Sequence, residues 1–126
     1  WSIVALMALV IGCTKSGLDA HAVTGVYKVK YSHGSETLFL GDNGQFTQTY
    51  LHAENHQPET NSGTWEIDKE FDEVRLNGGI LFDDREGRRA KHFEKTIWRL
   101  PIVKRFGEVS LQIDGDGFLE YNKVNK

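Results

Sequence analysis

The chain of 126 residues carries 15 basic and 18 acidic side chains, a formal net charge of −3. That length fits one domain, and the slight acidity gives no basis for nucleic-acid binding. A single cysteine excludes an internal disulfide, so the fold must rest on its core, to which three Trp, four Tyr and seven Phe bring large apolar area.

Residues 1–12 are almost wholly apolar and carry no charge, the pattern of a signal-peptide core. As a helix they would extend about 18 Å, at about 1.5 Å per residue, against a hydrocarbon thickness of ~30 Å. A stable transmembrane span is therefore not expected. The first residue is Trp1, and no basic segment precedes the apolar run, so a true start upstream is expected.

The run ends on Val10-Ile11-Gly12-Cys13: an aliphatic residue, a tolerant position, a small residue and the only cysteine. This resembles the lipobox of bacterial lipoproteins. The resemblance implies that the Cys13 thiol takes a diacylglycerol, that the leader is cut before it, and that the new amino terminus is acylated. One acyl chain holds a protein marginally, whereas two or more anchor it durably. Thr14 follows in place of the Asp that often retains such proteins at the inner membrane, which implies outer-membrane delivery, facing the periplasm, in a Gram-negative source. The alternatives are an ordinary cleaved signal with a leftover cysteine, or a buried N-terminal helix. An unpaired cysteine in an exported protein is a liability unless modified, which favours the lipobox.

Residues 14–24 are small, polar and aperiodic, and read as a tether. From Gly25 short alternating runs are broken by turn residues. Residues 25–31 set Tyr27, Val29 and Tyr31 against Lys28 and Lys30, and 32–34 turn. Residues 35–41 carry Leu38 and Leu40, and Asp42-Asn43-Gly44 supplies a tight hairpin. Residues 45–53 place Phe46, Gln48 and Tyr50 on one face and Thr47, Thr49 and Leu51 on the other, and either face could point inward. Residues 54–61, with Pro58, read as a loop.

Trp65 and Ile67 share a face of the run 62–67, and 68–72 turn. Residues 73–77 and 79–82 are two short strands, or one strand bulged at Asn77-Gly78-Gly79. The charge-dense run 83–92 reads as an exposed loop. In 93–104, Trp98, Leu100 and Ile102 alternate with Ile97 and Arg99, while Pro101 argues for an edge or bulge. Phe106-Gly107 turns, Val109, Leu111 and Ile113 share a face, Asp114-Gly115-Asp116-Gly117 turns, and 118–124 closes the domain.

The expected fold is all-β: an antiparallel meander of about eight strands closed into an up-and-down β-barrel, with a two-sheet β-sandwich as the alternative. The layout is a signal peptide at 1–12, the lipidated cysteine and tether at 13–24, and one domain at 25–126. The Gly25-Val26-Tyr27 opening, the meander and Trp98-Arg99 resemble lipocalin-like bacterial domains, which often follow a lipobox. Tyr27 departs from their more frequent Gly-x-Trp opening. The resemblance implies the barrel, and the expectation for the whole chain is a lipid-anchored monomer that binds a small apolar ligand or an envelope component.

Signals for chemistry are sparse. His52 and His56 have zinc-ligand spacing for a helix but straddle a strand end and a loop, so exposed histidines are the plainer reading. His21, His33 and His92 are isolated. Residues 114–117 have the start of a calcium loop without its further ligands, and a turn accounts for them. No Gly-x-Ser-x-Gly elbow surrounds Ser35, Ser62 or Ser110. Neither an enzyme nor a metal or cofactor site is expected. Arg88, Arg89 and Lys91 could face lipid headgroups, although a solvated loop is the simpler reading. Tyr27, Tyr31, Tyr50, Trp65 and Trp98 could line an internal ligand pocket. A fully packed core would instead suit a non-enzymatic module that binds another envelope protein.

Overall fold

The computed structural model describes residues 20–31, 33–54, 57–82, 96–113 and 119–124. They form one helical turn, α1 (Ala20–Val23), and the strands β1 (Gly25–Lys30), β2 (Gly34–Leu40), β3 (Gln45–His52), β4 (Pro58–Asp68), β5 (Glu73–Gly79), β6 (Thr96–Arg105), β7 (Glu108–Gln112) and β8 (Glu120–Lys123). Each strand pairs antiparallel with the next, and β8 pairs with β1, so the sheet closes into an up-and-down barrel rather than a two-sheet sandwich. Closure leaves the sheet no free edge.

The period-2 patterns place the core. On β2 burial alternates strictly at Gly34, Glu36, Leu38 and Leu40, because alternate side chains point to opposite faces of a strand. On β3 the inward face is that of Phe46, Gln48 and Tyr50.

The start of β4 differs from expectation, and β5 resolves an open choice. β4 begins at Pro58, so 58–61 is strand and not loop. Proline is tolerated at a first strand position, and Leu51↔Pro58 through Gln48↔Asn61 continue the ladder from β3. β5 is a single strand with a register shift between Asn77 and Gly79, and Gly78 sits there at φ 91°. Ile80, Leu81 and Phe82 lie beyond it.

Pro101 needs no sheet edge. The N–H of Ile102 points to Asp72 O, in the turn that leads into β5 (2.9 Å). The alternate position 101 therefore faces β7, whose ladder reaches only Ile102↔Leu111.

The barrel has two unlike ends. At one, residues 20–24, read above as part of the tether, dock beneath the wall: Val23 is fully buried and Thr24 N–H donates to Ala20 O (3.1 Å). There the Tyr27 hydroxyl donates to Val23 O (2.6 Å), Lys123 Nζ to Ala22 O (2.9 Å) and Trp65 Nε1 to Gly41 O (2.8 Å). Above this closed end Leu38, Leu40, Phe46, Leu76, Leu100 and Leu111 pack an apolar half-core, each side chain contributing roughly 1.5–3 kcal/mol by leaving water. The opposite end is the mouth, where β1, β3, β5 and β7 finish and β2, β4, β6 and β8 begin.

Candidate functional site at the barrel mouth

The mouth half of the interior is polar, and strand parity dictates which side chains enter it. Glu36 shares its face with Leu38 and Leu40, Gln48 with Phe46 and Tyr50, and Asn61 with Trp65. All three are buried. A buried polar group is costly unless hydrogen-bonded, and these are bonded to one another.

Gln48 Nε2 donates to Glu36 Oε2 (3.0 Å) and to Ile80 O (2.8 Å). Its Oε1 accepts from Asn61 Nδ2 (2.9 Å) and from the Ile80 N–H (3.0 Å). Both donors and both acceptor sites of that amide are thus used. Asn61 Nδ2 also donates to Gly78 O (2.8 Å). The Glu36 carboxylate accepts the Tyr31 hydroxyl at Oε1 (3.1 Å) and the Tyr121 hydroxyl at Oε2.

These contacts set the phenol chemistry. Burial, and after it the negative charge of Glu36, raise the Tyr121 pKa well above the ordinary 10.0 of a phenol. Burial alone raises that of Tyr27.

Above the polar band the rings of Tyr50 and Phe82 stack at 5.2 Å and 8°. Tyr31 and His52 approach Tyr50 at 6.3 and 6.4 Å. His52 Nδ1 accepts the Glu54 N–H (3.1 Å), so this histidine is engaged locally. Among the described residues no three metal-ligating side chains converge.

The five aromatic side chains read as pocket-lining are divided along the barrel. Tyr27 and Trp65 belong to the closed end, with their polar atoms bonded to backbone. Tyr31 and Tyr50 stand at the mouth, and half-buried Trp98 meets Tyr121 edge-on at 6.3 Å. Cys13, His56, Arg88, Arg89, Lys91, His92 and residues 114–117 lie outside the described residues. The flanks of the 83–92 run, Phe82 and Thr96, are at the mouth, opposite α1.

Two hollows open on the outer wall. The larger, ≈ 600 Å³, follows the seam between β1 and β8. That seam is paired only at Tyr27↔Lys123 and Lys28↔Asn122, with Val124 N–H donating to Val26 O (2.7 Å) towards the closed end. Towards the mouth the strands part. Lys28, Lys30 and Lys123 line the groove together with Val29, Leu119 and Val124, and with Glu120 and Asn122 of β8. Val29, an inward-facing residue, borders the groove.

The smaller hollow, ≈ 290 Å³, lies at the mouth among Tyr31, Leu51, His52 and Ala53. Lys30 and Ser35 line both, which makes one continuous surface. Sequence reasoning passed over Glu36 and Gln48 as site residues because polar strand residues default to the wet face, and over Asn61 because 54–61 reads as a loop. It passed over Lys28, Lys30 and Lys123 because lysines there do face water, and nothing local signals a parted seam.

Comparison with protein-family models, with curated proteins and with solved structures finds no match to this chain.

Proposed function

We propose that this chain is a lipid-anchored, non-enzymatic cell-envelope protein of lipocalin-like fold that binds a small amphiphile, an apolar body with an anionic head. The binding surface is the seam groove and the mouth hollow beside it, not the barrel's centre. The observation that carries this reading is the lining: apolar Val29, Leu119 and Val124 beside Lys28 and Lys30, with Lys123, whose ammonium is bonded to Ala22 O, at the closed-end side. Binding sites for small molecules are concave, with apolar walls and a few placed polar groups, and here three lysines outnumber one carboxylate, Glu120, which is already paired with Arg105. The apolar run that ends at Cys13 supports the anchor, through which an acylated protein would be held at the outer membrane, facing the periplasm in a Gram-negative source.

A fluorescent fatty acid tests the assignment. Saturable binding is expected, weakened about tenfold, or roughly 1.4 kcal/mol, in the Lys28→Glu, Lys30→Glu double variant. Absence of saturable binding, or equal affinity in that variant, overturns it.

A second reading, an envelope-protein interaction module, is favoured by the filling of the interior. Tyr27, Tyr50, Tyr121 and Phe46 are all essentially without exposed surface. Crosslinking in intact envelopes that captures a partner protein, together with no fatty-acid binding, would select it.

A further inference from the structure

The turn between β6 and β7 is Arg105-Phe106-Gly107-Glu108, with both central residues at positive φ (52° and 81°). Two successive left-handed residues make a tight hairpin turn that favours Asn-Gly, and a bulky side chain is disfavoured there. Phe106 is also completely exposed, at 105% relative accessibility. Neither backbone preference nor packing within the fold accounts for phenylalanine at this position. A role outside the fold would.

Its location says which. Paired through Arg105↔Glu108, the β6–β7 hairpin runs on past the β5 ladder, which reaches only Glu73↔Pro101. Phe106 is therefore the tip of a projecting ribbon. The turn between β4 and β5 carries a second exposed ring, Phe71, on the same end. The exposed aromatic side chains among the described residues, Phe39, Phe71 and Phe106, all lie in the half of the barrel that holds α1. Leu51, Leu81 and Ile97, exposed towards the mouth, are aliphatic.

The same end receives the chain from residues 1–19, which hold the apolar run and Cys13. We propose that this closed end is the membrane-facing end of the protein, with Phe106 as a wedge in the lipid interface and Phe71 beside it. The inference rests on the lipid-anchor reading above, which brings this end within reach of a bilayer: a chain spans at most roughly 3.3–3.6 Å per residue, so the short stretch from Cys13 to Ala20 keeps the two close.

Exposed rings on such a surface settle at the boundary between headgroups and acyl chains. At the β6–β7 tip Lys104 offsets Glu108 and Arg105 is bonded to Glu120 (3.1 Å), whereas Phe71 stands between Glu70 and Asp72 with Lys69 as the one cation of its turn. Insertion therefore relies on apolar contact and not on attraction to anionic lipid. It also directs the mouth away from the bilayer, leaving the lysine-lined groove on the side wall.

The test places a reporter at each end of the full-length, lipidated protein in vesicles of zwitterionic phosphatidylcholine with brominated acyl chains. Phe106→Trp is expected to lose emission beyond the background of Trp65 and Trp98, with a blue shift, while Leu51→Trp at the mouth adds none. Phe106→Asn, the residue the turn prefers, should keep or raise thermal stability while weakening vesicle association of the unanchored chain, where no acyl groups mask the loss. Equal quenching of the two tryptophan variants, or vesicle association unchanged in Phe106→Asn, overturns the proposal, as does an envelope protein crosslinked through position 106 in place of lipid. Mass spectrometry of Cys13 reports the anchor separately. If the cysteine is unmodified the anchor reading fails, and quenching of the unanchored Phe106→Trp chain at high lipid concentration still decides the wedge.

Discussion

The Tyr121 phenol on β8 donates a hydrogen bond to the Glu36 carboxylate on β2, reaching behind β1, which lies between the two strands. The bond spans the seam where β1 and β8 share only two register pairs. Interior side chains thus close the barrel where the backbone ladder is thinnest. Through Gln48, Asn61 and Ile80 the same network continues across β3 and β4 to the end of β5.

Removing the seam bond should loosen β8 before it unfolds the rest. Tyr121→Phe keeps the ring against Trp98 and deletes one hydroxyl, for a cost of about 1–2 kcal/mol. Hydrogen exchange is expected to quicken at Glu120–Lys123 and at Val26–Lys28 while β3–β5 amides keep their protection. Uniform loss of protection, or none, would contradict a local role.

Glu36 holds the donors of three side chains, so its loss should cost more. Glu36→Leu strips the acceptor from Tyr31, Tyr121 and Gln48 inside the barrel. A destabilisation of about 3 kcal/mol or more is expected from urea unfolding, since each unsatisfied buried group costs about 1–3 kcal/mol. Glu36→Gln retains one acceptor oxygen and should lose less. Equal stability of the leucine variant and wild type would mean that the network adds nothing.

Gly63 marks a close approach. A Cβ there would stand 2.3 Å from Asn77 O and 2.6 Å from the ring of Phe46, its partner across β3 and β4. Backbone cannot yield cheaply in a closed ladder, so Gly63→Ala should destabilise by about 1–3 kcal/mol. An unchanged thermal midpoint would show that β4 moves freely against β5.

The buried phenols make the fold sensitive to alkali. Burial raises the pKa of Tyr27 and, with Glu36 added, that of Tyr121 above the ordinary 10.0. The unfolded chain ionises these groups at lower pH than the folded one. Their contribution is therefore complete below pH 10 and is lost as pH rises beyond it. Urea midpoints should hold level up to that pH and then fall, and the fall should be shallower in Tyr121→Phe. A decline that begins well below pH 10 would place its cause elsewhere.

The legible part of this fold was its periodicity. Tyr27, Val29 and Tyr31, then Leu38 and Leu40, then Val109 and Leu111, fixed inward faces without coordinates, and Asp42-Asn43-Gly44 fixed a turn. The polar band was hidden by a default, that Glu and Gln on strands face water. Parity pointed the other way: Gln48 sits midway between Phe46 and Tyr50, and Glu36 precedes Leu38 by two. Asn61 was lost with the start of β4, because Pro58 and its polar neighbours resemble a loop until the pairing with β3 is known. The seam groove was not legible, since it depends on where the last strand meets the first.

The location of the ligand decides the account. Titrating the isotope-labelled protein with decanoate and following backbone amide shifts tests it most directly. Shifts concentrated at Lys28, Lys30, Leu119 and Lys123, extending to Leu51 and Ala53 at the mouth, are the predicted result. Shifts centred on Leu38, Leu76 and Leu100 inside the barrel, or none at saturating decanoate, would contradict it.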